Sequence, residues 1–302
     1  MSTQNASVKS ILFALLANLG IAITKTVAAV ITGSGAMLAE SIHSFADCVN
    51  QGLLFVGLNA TKKKPDFKHP LGYGKEIFFW SFIVALILFS MGGLFSVYEG
   101  IHKLSTHEGL KSPIIAIVVL SVSMLLESAS LYGCITQINK IKGDRSFGNW
   151  FKNTSQSELI VVLGEDVAAL LGLSFALIAI VLSVVTGNPV FDAIGSIGIG
   201  VLLLFVSIFL AVKVKSFLIG QSTDSDTSTA IKVLLEARPE VDQIFNLITL
   251  QLGAQIMVAV KAKMAKVDTV DQLIKNINAC EMELRKENPA IQWVFFEPDT
   301  EN

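Results

Sequence analysis

The amino-acid sequence predicts an all-α membrane bundle of six transmembrane helices followed by a small α+β domain. Three observations predict it. Of 302 residues, 52% are hydrophobic and only 16% charged, with a mean hydropathy of +0.61, outside the habit of soluble domains. Six apolar runs, at about 9–31, 36–60, 76–100, 113–136, 158–186 and 190–212, each reach the roughly 20 residues that cross a bilayer. Beyond Gly220 the long apolar runs stop, and apolar residues alternate with polar ones. The expected division is a membrane domain over 1–220 and a soluble domain over 221–302.

The elements follow in order. The short polar N-terminus has no Arg-rich transit segment and no cleavage site, so the first helix is expected to stay. Thr32-Gly-Ser-Gly35 is a tight turn between helices one and two, and Thr186-Gly-Asn-Pro189 one between five and six. Lys62, Lys63, Lys64, Lys68 and Lys75 fill the loop after helix two. Lys140, Lys142, Arg145 and Lys152 fill the loop after helix four, and Lys213 and Lys215 follow helix six, whereas the alternate loops hold only Lys103 and Lys111. This bias places both termini and both basic loops in the cytoplasm. In the tail, Thr223 to Ser228 reads as linker and helix start, and Thr229 to Ala237 as a helix. Val241 to Leu250 and Gln255 to Lys263 read as strands, Val270 to Lys286 as a helix and Ile291 to Phe296 as a last strand. The order is αββαβ.

Chemistry concentrates in helix two, in Glu40-Ser-Ile-His43-Ser-Phe-Ala-Asp47-Cys-Val-Asn-Gln51. His43 and Asp47 are four residues apart and share a helix face. Each ionisable side chain at mid-bilayer costs roughly 2.5–3.5 kcal/mol. Ser or Asn would join helices more cheaply, whereas His plus carboxylate supplies N and O ligands to one divalent cation. Glu127 in helix four and Glu165 and Asp166 in helix five also fall inside apolar runs and are expected to face His43 and Asp47. Lys25 is expected to snorkel, Glu99 to end helix three, and Asp192 to take an N-cap or first-turn place on the helix it opens. Cys48, Cys134 and Cys280 show no metal or disulfide spacing. No basic cluster interleaved with aromatics suggests nucleic acid. No H-E-x-x-H and no paired nucleophile and base suggest an enzyme.

The H-x-x-x-D of helix two, the stretch Gly33 to Asp47, the His69-Pro-Leu-Gly-Tyr-Gly74 loop and the αββαβ tail together resemble the cation diffusion facilitator family. The Glu165-Asp166 pair is similar to the branch containing the mitochondrial zinc transporter. The resemblance implies a proton-coupled antiporter exporting divalent metal, usually Zn²⁺, as a homodimer with a metallochaperone-like tail. Zinc is then substrate, and no cofactor is expected. The implied ligands are His43, Asp47 and Asp166, with Glu165 or Glu127 replacing the helix-five His, because Val162 stands at that position. Asp66 and His69 remain of a loop metal motif in which Tyr73 replaces a second His; two ligands are too few, so a folded turn is expected. None of the four histidines lies in the tail, so the family's usual cytoplasmic zinc cluster is not expected there. His102 and His107 are expected in an external loop. A Mn²⁺ or Fe²⁺ exporter and a membrane metal sensor are the alternatives. The expected location is a bacterial inner membrane.

Overall fold

The computed structural model describes residues 18–106, 110–143, 145–154 and 156–301. The start of the first apolar run and His107 lie outside them. The chain forms two compact units. One comprises the described parts of Met1–Gly57, Trp80–Asp144 and Glu158–Val214, and the other Leu58–Phe79, Arg145–Ser157 and Lys215–Asn302.

The helices that supply the first unit are α1 (Asn18–Thr32 as described), α2 (Gly35–Ala60), α3 (Glu76–Thr106), α4 (Pro113–Lys142), α6 (Ser157–Thr186) and α7 (Val190–Ile219). Among the described residues, four are long and apolar enough to cross a membrane: α3, α4, most of α6, and α7. Their outward faces are apolar; only 17% of the most apolar window of α4 is buried. Water would not tolerate that surface, and lipid solvates it. α2 has the length, at 26 residues, but its polar stripe lowers its hydropathy. Several helices outrun their apolar runs. α3 continues past Glu99 to Thr106 and α4 reaches Lys142, with Lys103 and with Lys140 and Lys142 in their last turns, where cationic residues suit a helix C-terminus; α7 reaches Ile219.

α3 contains a π-helical turn over Leu88–Leu94, around Gly92 and Gly93. Glycine also sets the approach of α3 to α7. A Cβ added at Gly200 would lie 2.6 Å from the backbone N of Val97 and 2.8 Å from the carbonyl of Gly93. The backbones meet there, and Ser196 Oγ donates to the carbonyl of Ser96 at 2.9 Å. Gly200→Ala must separate the two helices, at about 1–3 kcal/mol for overpacking. Its melting temperature in detergent is expected to fall clearly. Gly133→Ala is the control: an added Cβ meets nothing within 4 Å there, and helix propensity favours Ala. Equal melting of the two variants would contradict the close approach.

In the second unit, Ser146 accepts from Asn149 N at 3.3 Å and starts α5 (Phe147–Asn153), a helix hidden in the second basic loop and anchored by the buried Trp150. The tail is α8 (Ser225–Glu236), β1 (Val241–Leu252), β2 (Gln255–Met264), α9 (Val270–Glu287) and β3 (Ile291–Pro298), the predicted order. Asp224 caps α8 by accepting from Thr227 N at 3.0 Å, so the helix starts earlier than its apolar spacing implies. The sheet order is β1-β2-β3. β1 pairs antiparallel with β2, and β2 pairs parallel with β3, the latter requiring the α9 crossover. Ile231, Leu235, Val258, Val260, Cys280 and Leu284 form its core. Gly74 explains the end of the loop motif. Its Cα lies so close to the Leu252 carbonyl that a side chain would collide with backbone.

Candidate metal centre

α2 begins under control of a distant residue. Asp192, in the first turn of α7, accepts from Ser34 Oγ at 2.5 Å, Gly35 N at 2.7 Å and Ala36 N at 3.4 Å. Its negative charge sits at the α2 N-terminus, where free N–H groups and the helix dipole favour it. It stands in the first turn of α7, as expected, but its oxygens serve α2; at the start of α7 Asn188 accepts from Val190 N at 3.0 Å. Lys103 lies 3.7 Å from Asp192.

Further along α2 the polar stripe turns inward. A cavity of about 60 Å³ is lined by Asn18 and Ile21 of α1, Ser44, Asp47 and Gln51 of α2, Glu127 and Ser130 of α4, and Val162, Glu165, Asp166 and Ala169 of α6. That volume admits a bare cation and a few waters. Four of the five expected ligands thus line one cavity. His43 does not line it. It is fully buried behind the wall, with Nδ1 3.5 Å from Asp47 Oδ1.

The carboxylates differ in how they are held. Glu165 Oε1 accepts from Asn50 Nδ2 at 2.6 Å. Asp166 Oδ1 accepts from Ser130 Oγ at 3.2 Å. Both nitrogens of His43, Oδ1 of Asp47 and Oδ2 of Asp166 are buried without a hydrogen-bond partner. Buried polar atoms are almost always paired, so this cluster of bare donors and anionic oxygens suits a cation. Among the described residues, no three His, Cys, Asp or Glu side chains converge closely enough to hold a metal as they stand. The wall offers ligands without closing a coordination shell.

Two contributors escaped the sequence reading. Asn50 is three residues beyond Asp47, so the stripe could have revealed it. Lys25 is not a snorkelling residue. It is fully buried, with Nζ 3.3 Å from Glu40 Oε2 and 2.8 Å from Ser44 Oγ, and nothing in the spacing of the first run pointed to that partner.

The loop motif forms an exposed turn. Asp66 Oδ1 accepts from the backbone N of Lys68 and His69, at 2.9 and 2.7 Å, and Oδ2 accepts from Tyr73 Oη at 2.6 Å. The Tyr73 hydroxyl first, then these N–H groups, hold the Asp66 carboxyl below its usual range. The expected folded turn is what is present.

The cation efflux transmembrane domain model matches residues 11–219. The chain belongs to the cation efflux family. This cation efflux protein is an integral membrane protein. It is 36% identical, over 231 residues, to a Xenopus laevis protein named proton-coupled zinc antiporter SLC30A9, mitochondrial; the match covers 76% of this chain and 41% of that one. It is 34% identical to metal tolerance protein C4 of Arabidopsis thaliana, over 71% of this chain and 48% of the relative. It is 28% identical to the magnetosome protein MamB of Magnetospira sp., over 71% and 68%. The match thus spans less than half the length of the first two relatives.

Proposed function

We propose that this protein is a proton-coupled antiporter that exports a divalent cation, most naturally Zn²⁺, through the cavity between α1, α2, α4 and α6. The observation that carries it is the meeting of Asp47, Glu127, Glu165 and Asp166 on one small cavity, with oxygens of Asp47 and Asp166 left bare. Carboxylates and imidazole must shed protons to ligate a metal, so cation loading releases protons and protonation releases the cation. Access alternating to the two sides around such a site gives exchange. The proposed ligands are Asp47, Asp166 and Glu165, with His43 recruited from behind Asp47 and Glu127 at the rim. The name of the Xenopus relative supports zinc and proton coupling.

We propose six membrane crossings in residues 1–220, a metallochaperone-like cytoplasmic tail in 221–302, both termini in the cytoplasm, and a homodimer. The bacterial inner membrane is proposed as the location. Since the Xenopus relative's name places that protein in mitochondria, imaging of a tagged chain is the deciding measurement. A manganese or ferrous iron exporter is the second reading, favoured by one observation: the ionisable side chains on the cavity wall are all carboxylates, with His43 outside it.

The test uses full-length protein in liposomes carrying a zinc dye and a pH dye. Zinc entry is expected to alkalinise the lumen, and an acid lumen to accelerate it. A silent pH dye during robust zinc flux would falsify antiport. Robust manganese flux without zinc flux would establish the second reading.

A further inference from the structure

The buried Lys25–Glu40 pair stands beside the cavity without being part of its wall. Glu40 is one turn before Ser44 on α2, and Ser44 lines the cavity. The Lys25 ammonium bonds both, at 3.3 Å to Glu40 Oε2 and 2.8 Å to Ser44 Oγ. It therefore lies between the Glu40 carboxylate and the wall. The other oxygen, Glu40 Oε1, is buried without a hydrogen-bond partner and seated against Gly172 of α6. Any Cβ at position 172 would collide with it. α6 thus leaves a notch that accepts Glu40 away from the cavity, and Lys25 holds it there.

An ion pair of opposite unit charges is neutral to its surroundings, whereas a bare carboxylate a turn from His43 would be one more anionic ligand. Substrate that gathers too many anionic ligands is bound tightly and released slowly, which defeats transport. We propose that Lys25 is a resident counter-cation that keeps Glu40 out of the substrate's coordination shell and so limits the negative charge the cavity offers. Lys25 and Glu40 are positioning residues, acting through Ser44 and through the field at the wall.

The inference rests on the transport reading, and its signature is one of sign. Lys25→Met frees Glu40, so half-saturating zinc should fall and turnover should drop about tenfold or more, the range for outer-shell partners of metal ligands. Glu40→Gln leaves an uncompensated ammonium at the wall, so half-saturating zinc should rise. The double variant Lys25→Met/Glu40→Gln restores neutrality and should return toward wild type in both. Zinc flux into liposomes and equilibrium dialysis of zinc on the same purified full-length proteins are the readouts. Opposite shifts in the single variants with recovery in the double support the pair's role. Shifts of the same sign, or a double variant no better than the worse single, overturn it, because a packing role predicts that outcome. If one single variant fails to accumulate, the other single and the double are read by the same signs. A wild type without flux under any gradient fails the transport reading instead, and dialysis still reads the sign pattern.

Discussion

Asp47→Ala and Asp166→Ala are each expected to reduce zinc flux to background, a loss of at least about 100-fold, since even outer-shell changes cost about 10–100-fold. Both proteins should still insert and purify. The two carboxylates come from different helices and meet at one cavity. Each carries a buried oxygen without a hydrogen-bond partner, so removing it breaks no good internal interaction except the bond from Ser130 to Asp166 and the 3.5 Å approach of His43 to Asp47. Four carboxylates crowded together repel, and deleting one relieves that repulsion. The unliganded variants should therefore melt no lower than wild type. Wild type should gain stability as zinc binds the folded state, and the variants should lose most of that gain. A variant with wild-type flux at equal abundance, or one that keeps the full thermal response to zinc, contradicts the ligand assignment.

The second large effect is expected at Glu165. Asn50 Nδ2 donates to Glu165 Oε1 at 2.6 Å, which fixes the side chain and leaves its other oxygen for a cation. In Glu165→Gln the amide oxygen can still accept that bond, so the change removes charge and little else. Loss of most zinc transport is expected. Glu127 lines the same cavity from α4 but is only half-buried, so Glu127→Gln should cost less. Val162 is also on the wall, one turn before Asp166. Adding Val162→His to Glu165→Gln brings back a nitrogen ligand and should restore part of the flux. Comparison of the three variants at matched abundance decides. A silent Glu165→Gln beside an inactive Glu127→Gln would move the fourth ligand to α4.

The tail was readable because its signals are local. Alternation in Val241 to Leu250, the helix-start signal from Thr223 to Ser228, and the apolar stripe of α9 each lie within their own element. The carboxylates of the candidate site were readable because ionisable groups in apolar runs are costly wherever they sit. Their grouping was less so. Glu165 and Asp166 differ by about 100° around a straight helix, yet both line the cavity, because Asn50 draws Glu165 toward α2. Lys25 was misread, and the bonds from Asp192 to α2 were missed, because their partners sit on other helices, and helical periodicity reports only on its own helix. α5 was lost among the cations of its loop, although Ser146 and the aromatic spacing of Phe147, Trp150 and Phe151 mark it.

The cap on α2 has a consequence for the order in which the chain is made. Gly35 and Asp192 are separated by 157 positions. At roughly 5–20 residues per second, synthesis takes about 8–30 s to cover that distance. During that interval the first turn of α2 has no carboxylate from α7, and the bundle that will enclose its polar stripe does not yet exist. Lys25 and Glu40 are only 15 positions apart, so that pair can form as soon as the first hairpin emerges. The nascent hairpin thus has its own means of neutralising one buried acid, while the final seating of α2 waits until the start of α7 has left the ribosome.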